Sequence, residues 1–156
     1  KPSGAMFALA NAATFQCREP AGGAPKPKWC ELLFTTGDLA SWAFTVPEGY
    51  TGTTTVKVRY KMVSGTANYT EWTARFACMT PDDAADWDAN AFDSDNVSAD
   101  DEVPGTAGYL TAHSWTASNL DSMTDGDECV MQLERSTPTG SDATGDAEVL
   151  GVTIEW

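Results

Sequence analysis

Apolar and polar residues alternate with a period of two over much of the chain. Val56, Val58, Tyr60 and Met62 interleave with Lys57, Arg59 and Lys61, the pattern of a strand with one buried face and one basic, solvated face. Trp72, Ala74, Phe76 and Cys78 alternate with Glu71, Thr73, Arg75 and Ala77, and Cys129, Met131 and Leu133 with Val130, Gln132 and Glu134. Leu150, Val152, Ile154 and Trp156 alternate with Gly151, Thr153 and Glu155. Trp42, Phe44 and Val46 form another alternating run, closed by Pro47. A short apolar run spans Trp29 to Phe34, and a further strand near Tyr109 to Ala117 has an ambiguous facing. Gly, Pro, Asp and Asn bound these runs, and no long segment combines a 3.6-residue period with helix caps.

Strands of this kind stack as two antiparallel sheets. The expected fold is therefore all-β, an antiparallel sandwich of jelly-roll type, with an immunoglobulin-like sandwich as second choice. Val56, Val58, Tyr60, Trp72, Phe76, Leu133, Val152 and Ile154 are the expected core. The 156 residues suffice for one domain with one core.

Charge divides the chain. There are 23 acidic residues against 9 basic ones, a formal net charge of -14. That excludes nucleic-acid binding by the domain as a whole and simple docking on anionic membranes. No apolar run approaches the ~20 residues of a membrane helix. Residues 1–28 hold Lys1, Arg18, Lys26 and Lys28 against Glu19, so they carry +3 and the remainder carries -17. Pro2, Pro20, Pro25 and Pro27 with Gly22 and Gly23 predict a basic, mostly irregular N-terminal arm over 1–28, ahead of an acidic sandwich over 29–156. The stretch from Ala5 to Phe15 is read as a short strand or helix inside that arm. The arm either packs on its own domain or docks on an acidic neighbouring subunit, with Phe7, Leu9, Phe15, Arg18, Lys26 and Lys28 as its contact residues. The chain opens at Lys1 without a methionine, which fits a processed product.

A long acidic loop is expected from Pro81 to Pro104. Asp86, Asp88 and Asn90 have the spacing that opens an EF-hand, but Ala91 stands where the turn wants Gly and Val97 where a bidentate Glu is needed. An irregular calcium cage drawing on Asp86, Asp88, Asn90, Asp93 and Asp95 is the one metal site the sequence suggests; the competing reading is a solvated acidic loop. No cofactor is otherwise implied.

Cys17, Cys30, Cys78 and Cys129 show no C-x-x-C spacing, and His113 is the only histidine, which argues against zinc. Cys78 and Cys129 lie inside strand patterns and read as free buried thiols, whereas Cys17 and Cys30 flank a Pro/Gly-rich loop and are as readily bridged as not. His113 reads as a strand histidine, no Ser or Cys has a nucleophile's surroundings, and carboxylate pairs are uninformative in so acidic a chain. A non-enzyme is expected. Among the six tryptophans, Trp42, Trp72 and Trp156 read as core, and Trp87 and Trp115 are the ones open to ligand stacking. Asn68-Tyr69-Thr70 and Asn96-Val97-Ser98 match a glycosylation sequon.

Three stretches, Trp42 to Tyr50, Val103 to Leu110 and Thr144 to Leu150, resemble in order and spacing a family of small acidic β-sandwich proteins encoded among structural genes of tailed bacteriophages. The resemblance covers roughly Phe34 to Trp156 and carries no functional residue with it. It implies a virion component, foremost a capsid decoration or cement protein, or a tail or fibre domain. Its implied partners are the major capsid protein or neighbouring copies, with a homo-oligomer, a trimer by preference. The alternative is a secreted carbohydrate-binding module or adhesin domain, extracellular rather than in the virion.

Overall fold

The computed structural model describes residues 5–6, 10–19, 25–65 and 67–156. Its strands are β1 (Ala5–Met6), β2 (Thr14–Arg18), β3 (Trp29–Phe34), β4 (Leu39–Thr45), β5 (Thr54–Met62), β6 (Tyr69–Met79), β7 (Asn96–Val97), β8 (Asp101–Glu102), β9 (Thr111–Ala117), β10 (Glu128–Ser136) and β11 (Ala147–Glu155). They form two antiparallel sheets. The first runs β1-β4-β10-β6-β7, with β8 also on β6, and the second runs β2-β3-β11-β5-β9. The chain steps from one sheet to the other at most connections, and the four-strand orders β4-β10-β6-β7 and β3-β11-β5-β9 are those of a jelly roll.

The alternating runs explain the layers. Val56, Val58, Tyr60 and Met62 point inward from β5, and Trp72, Ala74, Phe76, Met131 and Leu133 meet them from β6 and β10. Phe34 and Tyr60 set their rings edge-on to Trp72, at 5.6 and 5.3 Å between centroids. Val152 and Ile154 pack against this core but are only partly buried. Trp156, expected inside, is 43% exposed and leans on Phe44 and Tyr50 at the rim.

The N-terminal region is less irregular than its Pro and Gly content predicts. β1 pairs with β4, and β2 pairs along its whole length with β3, so the described part is built into the chain's own sheets. Pairing satisfies the backbone there, which an unpaired arm would leave to water. Phe7 and Leu9 lie outside the described residues.

The cysteines also depart from expectation. Cys78 faces Cys129 across β6 and β10, and the two are bonded rather than free. Cys17 faces Cys30 across β2 and β3 in the same way. Alternation correctly placed Cys78 and Cys129 on one face, but alternation within single strands does not reveal cross-strand register.

The acidic connection from 81 to 104 contains one 3-10 turn, Trp87–Ala89, together with β7 and β8. It is pinned not by Trp87, Phe92 or Val97, all exposed, but by buried Asn96, Ser98 and Val103. Asn96 donates to the carbonyls of Ala74 and Asn119 and accepts from the amides of Ser118 and Asn119. A side-chain amide satisfied on all sides in this way can be buried at little net cost.

Candidate functional site

The outer face of the second sheet gathers polar side chains that the strand pattern brings into adjacent rows. Register sets Gln16 opposite Glu31 and Arg18 opposite Trp29 across β2 and β3. It sets Glu148 opposite Lys61, and Thr153 opposite Lys57, across β11 and β5. These residues alternate with the inward-facing core residues, so all of them project away from the other sheet.

Glu31 lies at the centre of the group and its side chain is fully buried. The Gln16 amide donates to Oε1 at 2.6 Å and the Trp29 indole N–H to Oε2 at 2.7 Å. Arg18 Nε lies 2.8 Å from Oε1 and Lys61 Nζ 3.4 Å from Oε2. Glu148, also buried, forms ion pairs with both Arg18 and Lys61. Lys61 Nζ sits 5.7 Å from the centre of the Trp29 ring. Burial by itself would raise the Glu31 carboxyl. The hydrogen bonds from Trp29 and Gln16 and the charges of Lys61 and Arg18 outweigh it and hold the group below the ordinary glutamate value.

The two carboxylates thus lock a set of donors and one indole into fixed positions. They are themselves ion-paired, and the group presents hydrogen-bond donors and an aromatic surface. Arg18 remains 41% exposed at its side chain. Beside the cluster, β11 carries a bulge between Val149 and Gly151. Arg59 leans over this bulge: its Nη1 lies 3.6 Å from where a Gly151 Cβ would stand and donates to Thr153 Oγ1 at 3.1 Å. At the sheet's other flank, Tyr109 and Leu110 are exposed just before β9, whose first residue pairs with Tyr60.

The residues nominated from sequence fare unevenly. Arg18, expected to reach a neighbour, is engaged with Glu31 and Glu148 of its own chain, and Lys28 pairs with Glu19 at 2.9 Å. Lys26 is exposed and has interactions within the molecule. Phe15 is 58% exposed on β2.

The five calcium nominees do not converge. Among the described residues no group of three or more His, Cys, Asp or Glu is placed to hold a metal ion. Asp86 caps the 3-10 turn by accepting from the Asp88 amide, and Asn90 donates to the Cys78 carbonyl. Asp93 accepts from the amides of Ser94 and Asp121, while Asp95 chelates the Arg75 guanidinium. Asp86 and Asp93 are thus used on loop amides and Asp95 on one arginine.

Trp115 lies on the inward side of β9, donates to the Asn96 carbonyl and stacks on His113 at 5.9 Å. It is structural. His113 Nδ1 stands 3.3 Å from Asp101, joining the β9 edge to β8. Trp87 is 44% exposed and lines an open groove of about 550 Å³ with Met79, Pro81 and Glu128. Trp29, Glu31 and Glu148 were not singled out from sequence. The signal was available: Trp29 and Glu31 are two residues apart in a strand, hence on one face, and a charge inside an apolar run needs a partner.

No protein-family model matches the chain, and no curated protein matches it. Solved structures share its architecture distantly. The CBM22-1 xylan-binding domain from Paenibacillus barcinonensis Xyn10C is 15% identical, with 97% of this chain and 84% of that one covered and a TM-score of 0.44. A structure described as showing the promiscuous specificity of carbohydrate-binding modules from the β-sandwich superfamily is 13% identical, covering 98% and 57%, with a TM-score of 0.45. The enzymatically active domain of bacteriophage CBA120 tailspike protein 4 is 12% identical, covering 96% and 18%, with a TM-score of 0.43. None of these likenesses assigns the chain to a family or gives it a function.

Proposed function

We propose that this domain binds carbohydrate, without chemistry of its own, on the outer face of its second sheet. The observation that carries this is the Trp29 indole fixed beside donors from Arg18, Lys61 and Gln16, all held by the buried carboxylates of Glu31 and Glu148. A sugar ring presents an apolar face of C–H groups and a rim of hydroxyls. An indole takes the first, and immobilised donors take the second at little cost in side-chain entropy.

The same geometry supports a non-catalytic reading of this face. Both carboxylates are ion-paired, with Glu31 kept ionised, whereas glycoside hydrolysis needs one carboxyl that carries a proton. The two disulfides are of a kind that persists in oxidising surroundings and support an extracellular placement. Virion assembly through a basic arm is less well supported, because Arg18 and Lys28 are engaged within the chain.

Isothermal titration against a panel of soluble polysaccharides tests this. At least one should bind, and Trp29→Ala, shown by circular dichroism to be folded, should weaken it about tenfold or more, a loss of about 1.4 kcal/mol. Failure of every polysaccharide to bind, or binding indifferent to Trp29→Ala, would overturn the proposal.

A further inference from the structure

Positive charge is concentrated on this face. Of the nine basic residues in the chain, four (Arg18, Lys57, Arg59 and Lys61) project from it. Two of them are neutralised by Glu31 and Glu148. The other two are not. Among the described residues the Lys57 side chain has no ion-pair or hydrogen-bond partner, and the Arg59 guanidinium donates to the Thr153 hydroxyl without a carboxylate partner. In a chain with 23 acidic residues, these two neighbours on one face of β5 stand without a carboxylate.

Their surroundings on the face are known. Thr153 stands opposite Lys57 on β11, and Glu155 is two residues further along, opposite Thr55. On the other side, β9 contributes Ala112 opposite Arg59 and Ser114 opposite Lys57, both uncharged. Arg59 leans over Gly151 towards β3, where Glu31 and Trp29 lie. Residues two apart on a strand are about 7 Å apart, and neighbouring strands about 5 Å. The free cations therefore sit within about one or two sugar rings of the indole.

We infer that the ligand of this face is a glycan bearing anionic substituents, carboxylate or sulfate, whose charge is received by Arg59 and Lys57 while a ring lies on Trp29. Arg59 offers a planar fork suited to a carboxylate or sulfate, and Lys57 a mobile point charge beside it. The inference rests on the carbohydrate reading above and sharpens it. The net charge of -14 repels polyanions at a distance, so an anionic glycan that binds does so through a local site and not by general attraction.

The test uses a matched pair, a galacturonate oligomer and the same oligomer fully methyl-esterified, with a sulfated galactan oligomer as a third ligand. Wild-type protein should bind the free acid or the sulfated oligomer about tenfold or more tighter than the ester. Arg59→Gln combined with Lys57→Gln should abolish that preference while leaving the fold, by circular dichroism, unchanged. Whichever anionic oligomer binds identifies the substituent. Equal binding of acid and ester, still dependent on Trp29, would overturn the inference and leave the carbohydrate reading standing. A preference that survives the double substitution would overturn it as well. Binding of none of the three, with neutral polysaccharides also inert, would remove both.

Discussion

Arg135 shows how one side chain closes the end of a sandwich. It points inward from β10, is buried, and donates to the carbonyls of Phe34, Ala143 and Gly145 and to the Asp142 carboxylate. These acceptors belong to two segments, the end of β3 and residues 142–145, and a guanidinium fork spans them together. Arg135→Met should lower stability by about 3 kcal/mol or more in urea denaturation, because buried carbonyls lose their donors. Arg135→Lys should recover little of it; a lysine variant as stable as the parent would show that charge, not the fork, is what matters. Glu31 sets the acid limit by a related route. Its folded-state carboxyl titrates below its ordinary value. The resulting stability is fully present above about pH 4.3 and is lost as pH falls through the lower folded value. Thermal melts between neutral pH and pH 3 should therefore show a loss that Glu31→Gln, already destabilised, shows to a smaller degree. Equal pH slopes for the two proteins would refute this assignment.

At the scale of elements, the disulfides staple neighbouring strands within a layer. Cys78–Cys129 closes a separation of 51 residues and Cys17–Cys30 one of 13. By loop-closure entropy these correspond to about 4 and about 3 kcal/mol. Cys17 and Cys30 are exposed and Cys129 is buried, so mild reductant should open the first bridge well before the second. Mass spectrometry of alkylated intermediates checks the order, and a single-reduced species blocked at Cys78 and Cys129 would contradict it. β5, β6 and β10 were legible in the sequence because one face of each is mainly apolar and the other mainly polar. β2 was hidden by the prolines and glycines that follow it. The pairing of Cys78 with Cys129 was hidden because register depends on two strands at once. Asn96 carries no periodic signal at all, and Glu31 sits inside a run that reads as apolar. The candidate face was therefore the least legible part, since it arises only where β2, β3, β11 and β5 come side by side.

For the molecule as a whole, the order of strands governs how the fold can be reached. β10 lies between β4 and β6 in the first sheet, and β11 between β3 and β5 in the second. The central strand of each layer is thus made after both of its neighbours. As a ribosome delivers the chain, β3, β4, β5 and β6 emerge with apolar faces ready and no middle strand to join them. The first layer cannot close before β10 has emerged, nor the second before β11, so each sheet is completed only after its flanking strands are made. A nascent chain stalled before Ala147 would hold the second layer in two halves, β2 with β3 and β5 with β9, and the row that brings Glu31, Glu148 and Lys61 together would not yet exist.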